Sequence, residues 1–172
     1  MALPSAQRRA HAARSGSRCF LFDNDAAIRS ALIDLLLALD GVAQDPVWHP
    51  EGDALYHSLQ VYDHARRDTD DPDLLAAALL HDVGKGLDRP HEEEGAELVA
   101  PWLSDRVVWL VRHHLDLLRH PAKTRRKLRG SARLRDLEQL RRWDVAGRDP
   151  DALVPTVEQA VDHVLEALRV SP

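Results

Sequence analysis

The stretch Leu75-Ala76-Ala77-Ala78-Leu79-Leu80-His81-Asp82-Val83-Gly84-Lys85-Gly86 decides how the rest of the chain reads. Its apolar residues run almost all round a helix, so it reads as a buried core helix. The run ends in an imidazole beside a carboxylate, followed by Gly84, Lys85 and Gly86. Burying an ionisable pair is costly unless something compensates, and a metal ion is the cheapest compensation. The pair could equally sit exposed at a fraying helix end with no role. The other histidines bear on that choice.

Outward from this helix the chain is patterned for helices throughout. With 172 residues, 44% apolar and only 5% aromatic, it is long enough for one domain with its own core. Richness in Leu, Ala and Arg favours an all-α fold. The single Cys19 excludes a disulfide framework and a cysteine-based zinc site. No apolar run approaches a membrane span and no signal-peptide core follows the N-terminal arginines, so no membrane partner and a cytoplasmic location are expected. A net charge of −5 argues against a general nucleic-acid-binding surface. Two basic clusters stand out against it: Arg8, Arg9, Arg14 and Arg18, and Lys123, Arg125, Arg126, Lys127 and Arg129. Ten histidines, the side chains that most readily bind metals near neutral pH, are the unusual feature.

Upstream, Asp68 to Pro72 is a polar break, and a helix from about Asp53 to Arg67 places His57 and His64 on one face. Asp45 to Asp53 reads as a loop, and Asp23 or Asn24 can start a helix to Leu39 that Gly41 stops. Residues 1–18 read as a disordered basic leader. Downstream, His91 precedes a helix with Glu92, Glu93 and Glu94 in its first turn, where the helix dipole favours acids. Pro101 or Ser104 begins a helix to Leu118 carrying His113 and His114, and 119–130 is a basic loop or short helix. Ser131 to Gly147 carries Asp144, and a last amphipathic helix ends near Val170. The expectation is an all-α fold: a single compact bundle of six or seven helices over 19–172, with a metal-binding core over 45–150.

His57, then His81-Asp82, then a distant Asp144 follow the order of the signature of the HD superfamily of metal-dependent phosphohydrolases, which this chain resembles. The resemblance covers roughly 45–150 and is strongest to the HD module of bacterial CCA-adding tRNA nucleotidyltransferases. It rests on Trp48-His49-Pro50-Glu51-Gly52-Asp53 with His57, His81-Asp82-Val83-Gly84-Lys85, His91-Glu92-Glu93-Glu94-Gly95-Ala96, and Asp144-Val145-Ala146-Gly147-Arg148. No nucleotidyltransferase head is recognisable before residue 45, so a stand-alone HD domain is expected, without tRNA as a partner.

The resemblance implies that His57, His81, Asp82 and Asp144 hold one ion. If Asp82 bridges to a second, His91, His113 and His114 are its natural ligands. Mixed nitrogen and oxygen donors suit a divalent transition metal (Mn, Fe, Co, Ni or Zn) rather than calcium. Lys85 is expected to meet a phosphoryl oxygen, its alternative being a solvated lysine. Arg148 is either a phosphate contact or a helix cap. Asp53 is expected as a helix N-cap, with a metal or His57-orienting role as the alternative. Arg125 and Arg126 belong to a solvated face or to a collar that draws in an anionic substrate. His49 in its proline-rich loop, and His11, His120 and His163, are expected at the surface, and His64 beside Asp63 or solvent. Trp48, Trp102, Trp109 and Trp143 are expected as core anchors, with Trp143 able to wall the pocket.

The function expected is a phosphohydrolase in which Asp82 and Lys85 serve catalysis and a metal-activated water attacks a small phosphate ester. A nucleotide monophosphate or a 2′,3′-cyclic nucleotide is the expected substrate. The alternatives are a di-iron oxygenase of the same fold and a non-catalytic nucleotide-binding domain. The oxygenase ranks lower because Leu115, Asp116, Leu117 and Leu118 stand where such proteins tend to carry a lysine. A homo-oligomer is compatible with the sequence.

Overall fold

The computed structural model describes the backbone of residues 19–170 and the side chains from Asp25 onward; the expected leader 1–18 lies outside the described residues. The quoted stretch forms α3 (Pro72–Leu80), in which every residue from Leu74 to Leu80 is buried. Asp71 starts it by accepting from the backbone N–H groups of Asp73 and Leu74 at 3.1 and 3.2 Å, with Pro72 in the first turn. Against α3 pack α2 (Ala54–Asp68), α5 (Asp105–His113), α8 (Ala132–Ala146) and α9 (Val157–Val170). A helix so surrounded can have no polar face, which is why its sequence has none.

The remaining helices sit outside that layer. α1 (Cys19–Leu37) packs on α9 and buries Leu32 and Leu36, while α4 (His91–Val99) packs on α5. α6 (Asp116–Arg119) and α7 (Pro121–Lys127) pack on each other between α5 and α8. The fold is all-α, with nine helices and one isolated bridge, Ala43 to Asp53, among the described residues. No described helix is long and apolar enough to cross a membrane.

Three expectations need correction. The count of six or seven helices is too low because the 104–118 segment is not one helix. It stops at His113 and restarts at Asp116, and 121–127 forms a helix of its own behind Pro121. The break has a side-chain cause: the His114 ring takes the carbonyl of Val111 at 2.7 Å, the kind of local bond that ends a helix. α3 ends the same way, with the His81 ring on the carbonyl of Ala78 at 3.0 Å. α1 is already helical at Cys19, ahead of the expected start. Of the tryptophans, Trp143 is a core residue and donates to Asp68 at 3.0 Å, so it does not wall the pocket, while Trp48 is 65% exposed.

Two glycines set how closely the layers approach. A Cβ on Gly84 would lie 2.1 Å from the carbonyl oxygen of His91 and 2.6 Å from the N of Gly95. The bare backbone therefore lets the turn after α3 lie against α4, and it is close approach rather than flexibility that Gly84 supplies. A Cβ on Gly147 would meet Val61 at 2.8 Å, so the end of α8 reaches α2 only without one.

Candidate metal centre

α2, the end of α3, the start of α4, the end of α5 and the last turn of α8 converge on one carboxylate, that of Asp82. Both it and His81 are buried in the turn that follows α3. One oxygen, Oδ2, lies 3.2 Å from His81 Nε2 and 3.9 Å from His57 Nε2. The other, Oδ1, lies 3.2 Å from His91 Nε2 and 3.5 Å from His114 Nε2. Asp144 Oδ1 lies 3.3 Å from His57 Nε2 and so completes the inner side. Two triads, His57–His81–Asp82 and Asp82–His91–His114, each offer ligand atoms within 4.8 Å of one another.

The imidazole orientations are fixed from behind. His57 Nδ1 lies 2.8 Å from the carbonyl oxygen of Gly147 and 2.8 Å from Glu51 Oε1. With the Nδ1 positions of His57, His81 and His114 on acceptors, each ring directs its Nε2 inward, where a neutral ring offers a lone pair. His57 Nε2 and His81 Nε2 are buried without a hydrogen-bond partner. Neutral rings at His57 and His81 set Nε2 lone pairs against carboxylate oxygens, which repel unless a proton or a cation lies between them, and the Nε2 atoms of His91 and His114 approach each other to 3.3 Å. These orphaned donors fit a divalent ion, and the set of imidazoles and carboxylates fits a transition metal.

Electrostatics without an ion point the same way. Burial opposes ionisation of Asp82, yet the surrounding imidazoles hold its carboxyl well below the usual carboxylate range. Asp144 is likewise lowered against its burial, by His57 and His81. Burial lowers His81, which keeps it neutral as a ligand must be. His57 is the exception: burial opposes its charged form, but Asp144 and Glu51 outweigh this and push it up to about 9.

Cations ring the opening. Lys85 Nζ lies 2.6 Å from Asp82 Oδ2 and also bonds the Gln44 side chain. Arg141 pairs with Asp144 at 2.6 Å. Arg148 donates to the Asp144 carbonyl at 3.3 Å and lies 3.4 Å from its carboxylate, so it caps the helix and reaches the site at once. Together with Arg119 they line a cavity of about 270 Å³ whose floor includes His81, Asp82 and Asp144.

His57, His81, Asp82, His91, His114, Asp144, Lys85 and Arg148 are therefore brought together, and three expected residues are not. His113 points away, its Nδ1 3.0 Å from Asp116 and its ring 4.6 Å from that of Trp109. Neighbours on a helix face about 100° apart, so His113 and His114 cannot both face Asp82. Arg125 pairs with Glu138 at 3.2 Å and Arg126 is exposed; neither lines the cavity, because α7 turns only Thr124 inward. Asp53 is the N-cap of α2, accepting from the N–H groups of Tyr56 and Gly41 at 2.8 Å each.

Glu51, His49 and Arg141 were not foreseen. His49 is half-buried rather than on the surface: its Nδ1 is 2.8 Å from Glu51 Oε1 and its ring stands edge-on to His57, 4.8 Å away. Arg141, three residues before Asp144, was legible from helical spacing. Nothing in a Pro-Glu-Gly turn announces a buried carboxylate.

The family model for the HD domain matches residues 54–149, and the chain belongs to that family. It is similar to the multifunctional CCA protein of Herminiimonas arsenicoxydans, 36% identical over 91 residues, covering 48% of this chain and 22% of that protein. The corresponding protein of Methylococcus capsulatus is 52% identical over 52 residues, covering 30% of this chain and 12% of its own length. That of Halorhodospira halophila is 43% identical over 68 residues, covering 35% and 16%. The matched stretch thus spans less than a quarter of each of these relatives.

Proposed function

We propose that the chain is a metal-dependent phosphohydrolase of small phosphate esters, with a nucleoside monophosphate or a 2′,3′-cyclic nucleotide as its substrate. The observation that carries this is Asp82, whose two oxygens are divided between two groups of imidazoles with Lys85 beside them. His57, His81, Asp82 and Asp144 would hold one divalent ion; His91, His114 and the other oxygen of Asp82 would hold a second. When bound, such ions lower the pKa of water and neutralise charge on a phosphoryl oxygen.

The chain's own side chains do the rest. Gly147 and Glu51 hold the His57 ring so that its Nε2 faces inward. Lys85, Arg141 and Arg148, already gathered by Asp82 and Asp144, are placed to bind the non-bridging oxygens of a phosphate and to stabilise charge that grows there in the transition state. Burial of Asp82 and His81 keeps water from competing with these contacts. The oxygenase and the non-catalytic reading share the ligands and differ in the reaction.

Protein purified without chelator is expected to carry a transition metal and to release phosphate, or open the ring, in a panel of nucleoside monophosphates and cyclic nucleotides. Asp82→Ala is expected to lose both metal and turnover. Unaltered hydrolysis by that variant overturns the assignment. O₂ uptake by iron-loaded protein without phosphate release moves it to the oxygenase.

A further inference from the structure

Beside the cation-ringed cavity lies a larger cleft of about 590 Å³, which the ligand cluster does not use. The two share His49, Lys85, Leu118, Arg141 and Arg148, so the three cations stand where the cleft meets the cavity beside Asp82. Leu118 on α6 stands at that junction, and the apolar walls outside the shared residues are Trp48 in the loop before α2, Val42 after α1 and Val145 on α8. Trp48, Leu118 and Val145 are 65%, 53% and 50% exposed, and no described helix covers them. Large apolar side chains left in water around one concavity mark a binding surface. Its polar groups are already engaged, Gln44 with Lys85 and with the Asp53 carbonyl, and Asp45 with the N–H of Val47 at 2.9 Å.

We propose that this cleft holds the organic half of the phosphate ester, and that Trp48 selects esters whose alcohol carries a flat ring system, such as a nucleobase, over esters of small polyols. The inference rests on the phosphohydrolase reading for its phosphate end. Charge complementarity fixes the direction of the occupant. Its phosphate lies among Lys85, Arg141 and Arg148, and whatever the phosphate is esterified to extends along the apolar walls. A ring stacks on the indole of Trp48 and meets Leu118 and Val145 across the cleft. A glycerol phosphate reaches only the cations and gains nothing from the walls.

The test compares adenosine monophosphate with glycerol phosphate as substrates of the wild-type chain, Trp48→Ala and Leu118→Ala. Both side chains are more than half exposed, so both variants are expected to fold. The preference for the nucleotide, as a ratio of kcat/KM values, is expected to fall about 10-fold in Trp48→Ala, through KM and not kcat. A smaller fall is expected in Leu118→Ala. An unaltered ratio overturns the proposal. Equilibrium dialysis with adenosine, which has no phosphate, separates this from the hydrolase reading. Binding weakened in Trp48→Ala upholds the cleft even if no ester is hydrolysed, and equal binding by both proteins rejects it even if esters are.

Discussion

The two sides of Asp82 are built differently. On the inner side His57 and His81 are only 0% and 1% exposed, and each ring is held on a backbone carbonyl at the end of a neighbouring or its own helix. On the outer side His114 is held in the same way, but the His91 side chain is 23% exposed. Among the described residues, the carboxylate facing its Nδ1 is that of Glu92, 3.8 Å away and too far for a hydrogen bond. The inner ligands cannot move without dislodging α2, α3 or α8; His91 can rotate at the mouth. A site with one fixed and one adaptable half can keep an ion on the inside while the outside admits substrate.

That contrast can be broken most directly by truncating one ligand from each side. His57→Ala is expected to strip the inner ion and abolish hydrolysis, leaving Glu51 paired with His49 alone. His91→Ala is expected to lower metal content by at most one ion per chain, measured by elemental analysis of the folded variants. Equal and complete loss in both would mean that the two sides act as one.

The next effect comes through the backbone. Gly84→Ala forces the turn after α3 away from α4, at a cost of about 1–3 kcal/mol by analogy with overpacked cores. A lowered melting temperature is expected, with metal lost from the outer side first, since His91 rides on α4. Unchanged stability would show that the two backbones are not in contact.

Glu51→Gln sharpens the inner side alone. It keeps the size of the side chain but removes the charge behind His57, and about a 10- to 100-fold loss of metal affinity is expected, read by competition with a chromophoric chelator. An affinity equal to wild type would reduce Glu51 to a packing residue.

A further effect is on pH dependence. Without metal, His57 is pushed up to about 9, so below that pH an incoming ion must displace its proton. Metal affinity is expected to rise with pH and level off above about 9, while the lowered Asp82 and Asp144 stay ionised throughout. The same raised pKa stabilises the metal-free fold below the ordinary histidine value of about 6.5. That contribution is lost as the pH climbs through about 9. Flat affinity between these values would refute the assignment of the proton to His57.

How much of this was legible is a matter of range. The all-round apolar pattern of α3, the cap at Asp53, the helix start at Ser131 and the end of α9 follow from neighbours a few residues apart, and the structure keeps them. The family resemblance carried by His57, His81-Asp82 and Asp144 implied the set that the structure brings to the inner side. The break after His113 was not legible, because it depends on a ring turning back onto Val111. Nor was the choice between His113 and His114, which depends on the phase at which α5 meets α3.

By itself, then, the sequence determined that the chain is helical, that its centre is the Leu74–Leu80 helix, and that histidines and aspartates are its chemical resource. Propensity, periodicity and residue type are local properties, and they suffice for that. Only the tertiary structure decided that Asp82 faces two groups of imidazoles at once. It also decided that Glu51 stands behind His57, and that Arg141 and Arg148 rather than Arg125 and Arg126 reach the opening. The contacts of Asp82 with His57 and His114, and of His57 with Gly147, join residues tens of positions apart, and how closely bare glycine backbone lets one helix approach another helps set their distances.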